Sequence, residues 1–148
     1  EQLRLHPEVG ITAANVAPEF GHLETRAYLA EHQREVELIG EENSSGLYNV
    51  LVSEVLASGR WRKWLVSGQG ETSIEDLQKD PARLHQIVEA CGHYAFDRPV
   101  VAEAINRMYA NQTKAGDDGG SDRVYGRVRE GIQRYVLHLG LSGCLDEG

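Results

Sequence analysis

The sequence predicts an α/β chain, the C-terminal fragment of a TIM-type barrel carrying its last β/α unit, followed by a mostly helical appendage. Three observations predict it. Val9-Gly10-Ile11-Thr12-Ala13-Ala14 is an uncharged run of β-branched and small residues, the composition of a strand covered on both faces in a parallel sheet. A loop and an amphipathic helical pattern follow it at once, the order of a β/α unit. Beyond residue 40 every regular apolar spacing is helical, with Gly, Pro and Asn breaks between the stretches.

Taken in order, Asn15-Val16-Ala17-Pro18 reads as the loop, and from Glu19 the apolar positions Phe20, Leu23, Ala27 and Leu29 predict a helix to about Val36. Glu41-Glu42-Asn43-Ser44-Ser45-Gly46 breaks it. Leu47, Val50, Leu51, Val55 and Leu56 then recur at helical spacing until Ser58-Gly59 stops them. Arg60-Trp61-Arg62-Lys63-Trp64-Leu65 sets both tryptophans among cations, a pattern that fits the anchor of a docked segment better than a ligand platform. Ser67-Gly68-Gln69-Gly70 reads as a flexible link. Asp80-Pro81 and Asp97-Arg98-Pro99 each start a helix, because proline fits the first helical turn. The first of these runs through Leu84, Ile87 and Val88 to Cys91-Gly92, and the second through Val101, Ile105 and Met108. Lys114 to Gly120 is a polar glycine loop, and Ser121-Asp122 opens a last helix with Val124, Val128, Ile132 and Val136 predicted inward.

The expected organisation is therefore residues 1–40 as the last strand and helix of a barrel, and 41–148 as a helical extension packing on it. The opening at Glu1, a few residues before the predicted strand, predicts a chain that starts inside its fold. No internal repeat emerges when the helical stretches are laid over one another.

Charge and composition narrow the function. The 148 residues carry a formal net charge of -8, with the basic residues mixed among acidic ones, so no nucleic acid partner is expected. No apolar run approaches the roughly 20 residues that span a bilayer, and no secretory signal pattern is present; no membrane partner is expected and the predicted location is cytoplasmic. Cys91 and Cys144 stand alone, without the paired spacing of a zinc knuckle or a redox motif, and read as free thiols.

In a barrel, the loop leaving the carboxyl end of a strand and the helix start that follows hold the polar groups of the site. That loop is Asn15 to His22. Glu19 offers a carboxylate for proton transfer or metal binding and His22 an imidazole of the kind that serves acid–base chemistry, and these are the catalytic candidates. Asn15, with an amide that orients a hydroxyl or carbonyl, and Arg26, with a guanidinium in reach of a phosphate, are the substrate-binding candidates. The bland readings compete. A helix dipole alone favours Glu19 near a helix start, His22 fits a solvated face, and Arg26 fits a surface ion pair. His85 and His93 read as packing or surface histidines with no link to His22. Asp117, Asp118 and Asp122 lack the ligand alternation of a calcium loop and read as a surface loop, and no residue set reads as a metal site. Ser67 to Gly70 lacks the lysine of a P-loop.

Gly10-Ile11 through Val16-Ala17-Pro18, with Arg26-Ala27-Tyr28-Leu29 behind it, resembles the last barrel unit of the non-catalytic subunits of tagatose-bisphosphate aldolase, the GatZ/KbaZ-like group. His93-Tyr94-Ala95-Phe96-Asp97-Arg98 and Ser121-Asp122-Arg123-Val124-Tyr125 are similar to segments near the end of that group. The resemblance departs at Asn15, where a lysine is expected. It implies an accessory subunit that supports a catalytic class II aldolase subunit acting on a sugar phosphate, tagatose 1,6-bisphosphate, in carbohydrate catabolism. It also implies that a divalent metal, zinc or manganese, belongs to the complete protein or its partner, with no cofactor held by this segment. A metal-dependent ketose epimerase and a tagatose-6-phosphate kinase are the alternatives the group suggests; no phosphate-cradling loop in these residues supports the kinase.

Overall fold

The fold is seen in a computed structural model that describes residues 17–65 and 72–140. Its described helices are α1 (Ala17–Ile39), α2 (Leu47–Ser58), α3 (Ile74–Gln78), α4 (Pro81–Cys91), α5 (Pro99–Lys114) and α6 (Gly120–His138). Short 3₁₀ turns lie at Glu41–Asn43, Arg60–Trp64 and Gly92–Ala95.

The predicted α/β class is corrected by this arrangement. Among the described residues there is no strand, and α1 lies among α4, α5, α6 and the Gly92–Ala95 turn instead of against a sheet, so the fold is all-helical and not a barrel fragment. Val9 to Ala14, the run that carried the strand reading, and Asn15 lie outside the described residues. The α/β reading rested on that one short run, and composition and periodicity over so few positions do not fix the class of a whole chain. The helix predicted to start at Glu19 already includes Ala17 and Pro18, which suits proline's fixed φ and missing N–H at a first turn.

Local sequence explains the other ends. Ser73 caps α3 in a reciprocal capping box: its hydroxyl accepts from the Asp76 N–H at 3.1 Å and the Asp76 carboxylate accepts from the Ser73 N–H at 3.2 Å. The Asp80 carboxylate accepts from the Arg83 N–H at 3.0 Å and Pro81 fills the first turn of α4. α2 ends on Gly59 in the left-handed region, φ 65°, where a Cβ is disfavoured.

Two apolar clusters hold the helices. One gathers Leu47, Leu51, Val88, Ala95, Val101, Ala104 and Met108, with Tyr28 and Phe96 against it; the other gathers Val55, Leu56, Trp61, Leu77, Ile87 and Cys91. Trp61 is fully buried and its indole N–H donates to the Leu56 carbonyl at 3.3 Å, so it anchors the 60–64 turn as the sequence suggests; Trp64 stays 42% exposed. Burial pushes the Cys91 thiol up to about 11. Where α1 meets the Gly92–Ala95 turn the backbones approach closely: a Cβ at Gly92 would stand 2.5 Å from Thr25 Cγ2.

The contact between α1 and α6 is polar at its centre. Of the four residues predicted inward on α6, Val124 is buried but Ile132 is 40% exposed, and the packed face includes Gly120 and Gly131. Glu31 and Glu35, one turn apart on α1, are both fully buried. The Arg123 guanidinium donates to Glu31 from Nε at 2.9 Å and from Nη2 at 2.8 Å, and to Asp117 from Nη1 at 2.8 Å; Arg34 donates to Asp117 as well. Asp117, expected in a loose surface loop, is thus a tie between helices, and its two arginines hold its carboxyl well below the usual range. Glu35 accepts from the Ser45 N–H at 2.8 Å, the Ser45 hydroxyl at 2.6 Å and the Asn111 amide at 2.7 Å, with His32 Nδ1 at 3.1 Å. Burial pushes the Glu35 pKa up, but these hydrogen bonds outweigh it and hold the carboxyl below its ordinary value.

Candidate functional site

The outer side of α1 carries Arg26, Leu29, Ala30, Gln33 and Val36 at the three- and four-residue steps that place them in one stripe. On α4, His85 and Glu89 are one turn apart and face the same way for the same reason. Between the two helices, closed by Tyr48 of α2 and Glu41, lies an open groove of about 530 Å³. Its volume falls in the range of small-molecule sites.

Glu89 is the hub of the polar end. Arg26 Nε stands 3.4 Å from its carboxylate, and His22 Nε2 and His85 Nε2 each stand 3.6 Å away. The two imidazole contacts are ion-pair rather than hydrogen-bond distances, so the donors converge on the carboxylate without closing on it. Its side chain keeps 23% exposure. The His85 ring lies tilted against Tyr48, centroids 5.7 Å apart, and burial raises the Tyr48 pKa.

Of the residues picked out by sequence, His22 and Arg26 meet at Glu89. Glu19 is exposed and lines a separate small hollow of about 90 Å³ with Pro18, His22, Trp64 and Ala90. His22 is thus shared between the hollow and the Glu89 cluster, while Glu19 and Arg26 sit seven residues, or about 10 Å, apart along α1. Asn15 lies outside the described residues.

Sequence reasoning separated His85 and His93 from His22, and the fold brings both to it. His85 shares Glu89 with His22. His93 packs flat on the one-atom side chain of Gly21, where a Cβ would stand 2.5 Å from its Cγ, and its ring lies 3.9 Å from that of Tyr94. Burial lowers the His93 pKa, and the neighbouring His22 lowers it further. His22 Nε2 and His93 Nδ1 are both buried atoms without a hydrogen-bond partner. Glu89 and Tyr48 were missed altogether. The His85/Glu89 pair at i,i+4 is the one signal that sequence offered for them.

Among the described residues no group of three His, Cys, Asp or Glu side chains could hold a metal ion, and no helix is long and apolar enough to cross a membrane. The arrangement offers one carboxylate acceptor ringed by guanidinium and imidazole donors, beside an aromatic wall. Fold and groove together define a helical bundle with a surface cleft that is polar at one end. Comparisons with protein-family models, with curated proteins and with solved structures find no match to this chain.

Proposed function

We propose that this chain serves as a helical accessory module of a carbohydrate-handling enzyme in the cytoplasm, the non-catalytic partner of a class II tagatose-bisphosphate aldolase subunit that binds the sugar phosphate and holds the metal. No barrel is part of this reading. One observation supports it: the three described stretches that carry the resemblance are spent on building the bundle. Tyr28 from the first meets Phe96 from the second edge-on at 5.0 Å, Ala27 and Ala95 are buried beside them, and Arg123 from the third clamps Glu31 one turn beyond the first. Side chains locked into ion pairs and ring contacts hold a surface in shape. That is the demand on an accessory subunit rather than on a reacting group.

The test is to assay the chain alone and mixed with a class II aldolase subunit on tagatose 1,6-bisphosphate, and alone on free ketohexoses with zinc or manganese. Aldol cleavage raised at least several-fold by the mixture, with co-elution of the two chains, supports the module. Metal-dependent epimerisation by this chain alone overturns it in favour of an epimerase, and the absence of any effect on the aldolase subunit overturns it outright.

A further inference from the structure

We propose that the groove between α1, α2 and α4 is a binding site for an uncharged, hydroxyl-rich molecule of monosaccharide size. Within the groove lining the Glu89 carboxylate faces Arg26 Nε at 3.4 Å and His85 Nε2 at 3.6 Å, while His22, which lines the neighbouring hollow, approaches it from behind at 3.6 Å. A carboxylate and donors held at this spacing are best bridged by groups that donate and accept at once, which is the property of a hydroxyl. A ligand bearing several hydroxyls donates to Glu89 while accepting from Arg26 and His85, and the Gln33 amide, whose nitrogen donates to Glu37 at 3.3 Å, leaves its oxygen as an acceptor further along the groove.

The rest of the lining agrees. Tyr48, steadied by the His85 ring, gives a flat aromatic wall for the C–H face of a sugar ring, and Leu29, Ala30 and Val36 form an apolar floor. Charge selects against an anion. Arg26 is the only arginine or lysine among the lining residues, against two carboxylates, Glu41 and Glu89, so these three groups sum to a formal charge of -1. A phosphate ester would meet net repulsion there, whereas the parent polyol meets none. The site is independent of the accessory reading, since it needs no partner chain.

The experiment uses the chain alone at pH 8. Titrations of D-glucose, D-fructose and sorbitol are followed by ligand-observed NMR and by calorimetry, with fructose 6-phosphate as the charged counterpart. At least one neutral polyol is expected to bind saturably with a dissociation constant of roughly 1–10 mM, the affinity that about a dozen heavy atoms give in an open groove. Glu89→Gln is expected to weaken it about tenfold with the chain still folded, since the amide is isosteric with the carboxylate and the side chain keeps 23% exposure, and Arg26→Met to weaken it several-fold. Glu103→Gln, exposed on α5 and absent from the groove lining, serves as the control and is expected to change nothing. The proposal is overturned by no saturable binding of any of the three, by binding that Glu89→Gln leaves intact, or by tighter binding of the phosphate ester than of fructose.

Discussion

Replacing Arg123 by methionine removes the cation that closes the α1–α6 contact while keeping most of its aliphatic bulk. Glu31 then loses three hydrogen bonds, at 2.8, 2.9 and 3.1 Å. It keeps Gln112 Nε2 at 3.3 Å and a distant Arg127 at 3.8 Å. Its side chain is 0% exposed, so water does not replace what is lost. Breaking a fully buried ion pair from one side costs about 3–5 kcal/mol. Arg123 keeps 30% of its side chain exposed, so solvent already screens part of the pair and a cost of about 2–4 kcal/mol is expected. For a chain of this size that corresponds to a melting temperature lower by about 6–15 °C.

The decisive comparison is with the double variant Glu31→Leu/Arg123→Met. If the single variant suffers from a stranded charge, removing that charge as well restores at least half of the lost stability, because the site becomes an apolar contact of similar volume. Thermal and urea unfolding followed by circular dichroism, with Glu31→Leu completing the cycle, gives the coupling directly. An Arg123→Met melting temperature within about 2 °C of the parent would place the pair with ordinary surface ion pairs and refute the buried-clamp argument.

The folded pKa of Glu35 is lowered, so its stabilising contribution is complete above the unfolded carboxylate value of about 4.3 and is lost as pH falls through the lower folded value. The stability difference between the parent and Glu35→Gln, measured by urea titration, should therefore shrink as pH falls below about 4; a gap that does not narrow would show that the carboxylate's hydrogen bonds are not what lowers it. Gly92→Ala sets a methyl 2.5 Å from the stiff Cγ2 of buried Thr25 and is expected to cost about 1–3 kcal/mol, whereas Gly126→Ala, with nothing within 4 Å, is expected to gain about 0.5–1 kcal/mol from helix propensity; the opposite order in thermal melts would refute both. Trp61→Ala should cost about 3–5 kcal/mol and Trp64→Ala less than about 1 kcal/mol, readable from urea midpoints, because only the first is buried.

What sequence made legible was whatever is written locally. The ends of α2 at Gly46 and Gly59, the proline-led starts of α4 and α5, and the start of α6 beside Ser121 depend on a few neighbouring residues, and each lies within one or two residues of its expected place. The anchor reading of the 60–65 segment was legible only in part: it was made for both tryptophans alike, and only Trp61 is buried. The fold class was not legible, because it hung on six residues whose composition fits more than one environment.

The site was half legible for a different reason. Helical periodicity put His22 and Arg26 on one side of α1, but their common partner is Glu89, over sixty residues away, and no local pattern announces a pairing across two helices. The buried acids make the same point more sharply. Glu31 and Glu35 look like any carboxylates on a charged helix, and only the fold shows that one is held by Arg123 and the other by Ser45 and Asn111. These ties fix the inner faces of α1. Its outer stripe, from Arg26 to Val36, is left to form the groove. A helix held so firmly on one side can present its other side as a shaped surface, and the long reach of those ties, 76 residues from Glu35 to Asn111 and 92 from Glu31 to Arg123, means the groove exists only once the whole bundle has closed. A substitution in the Glu31–Arg123 clamp, which lies on the opposite face of α1 from the groove stripe, should therefore weaken polyol binding only as far as it lowers the folded fraction, whereas Glu89→Gln should weaken binding in a chain that remains folded.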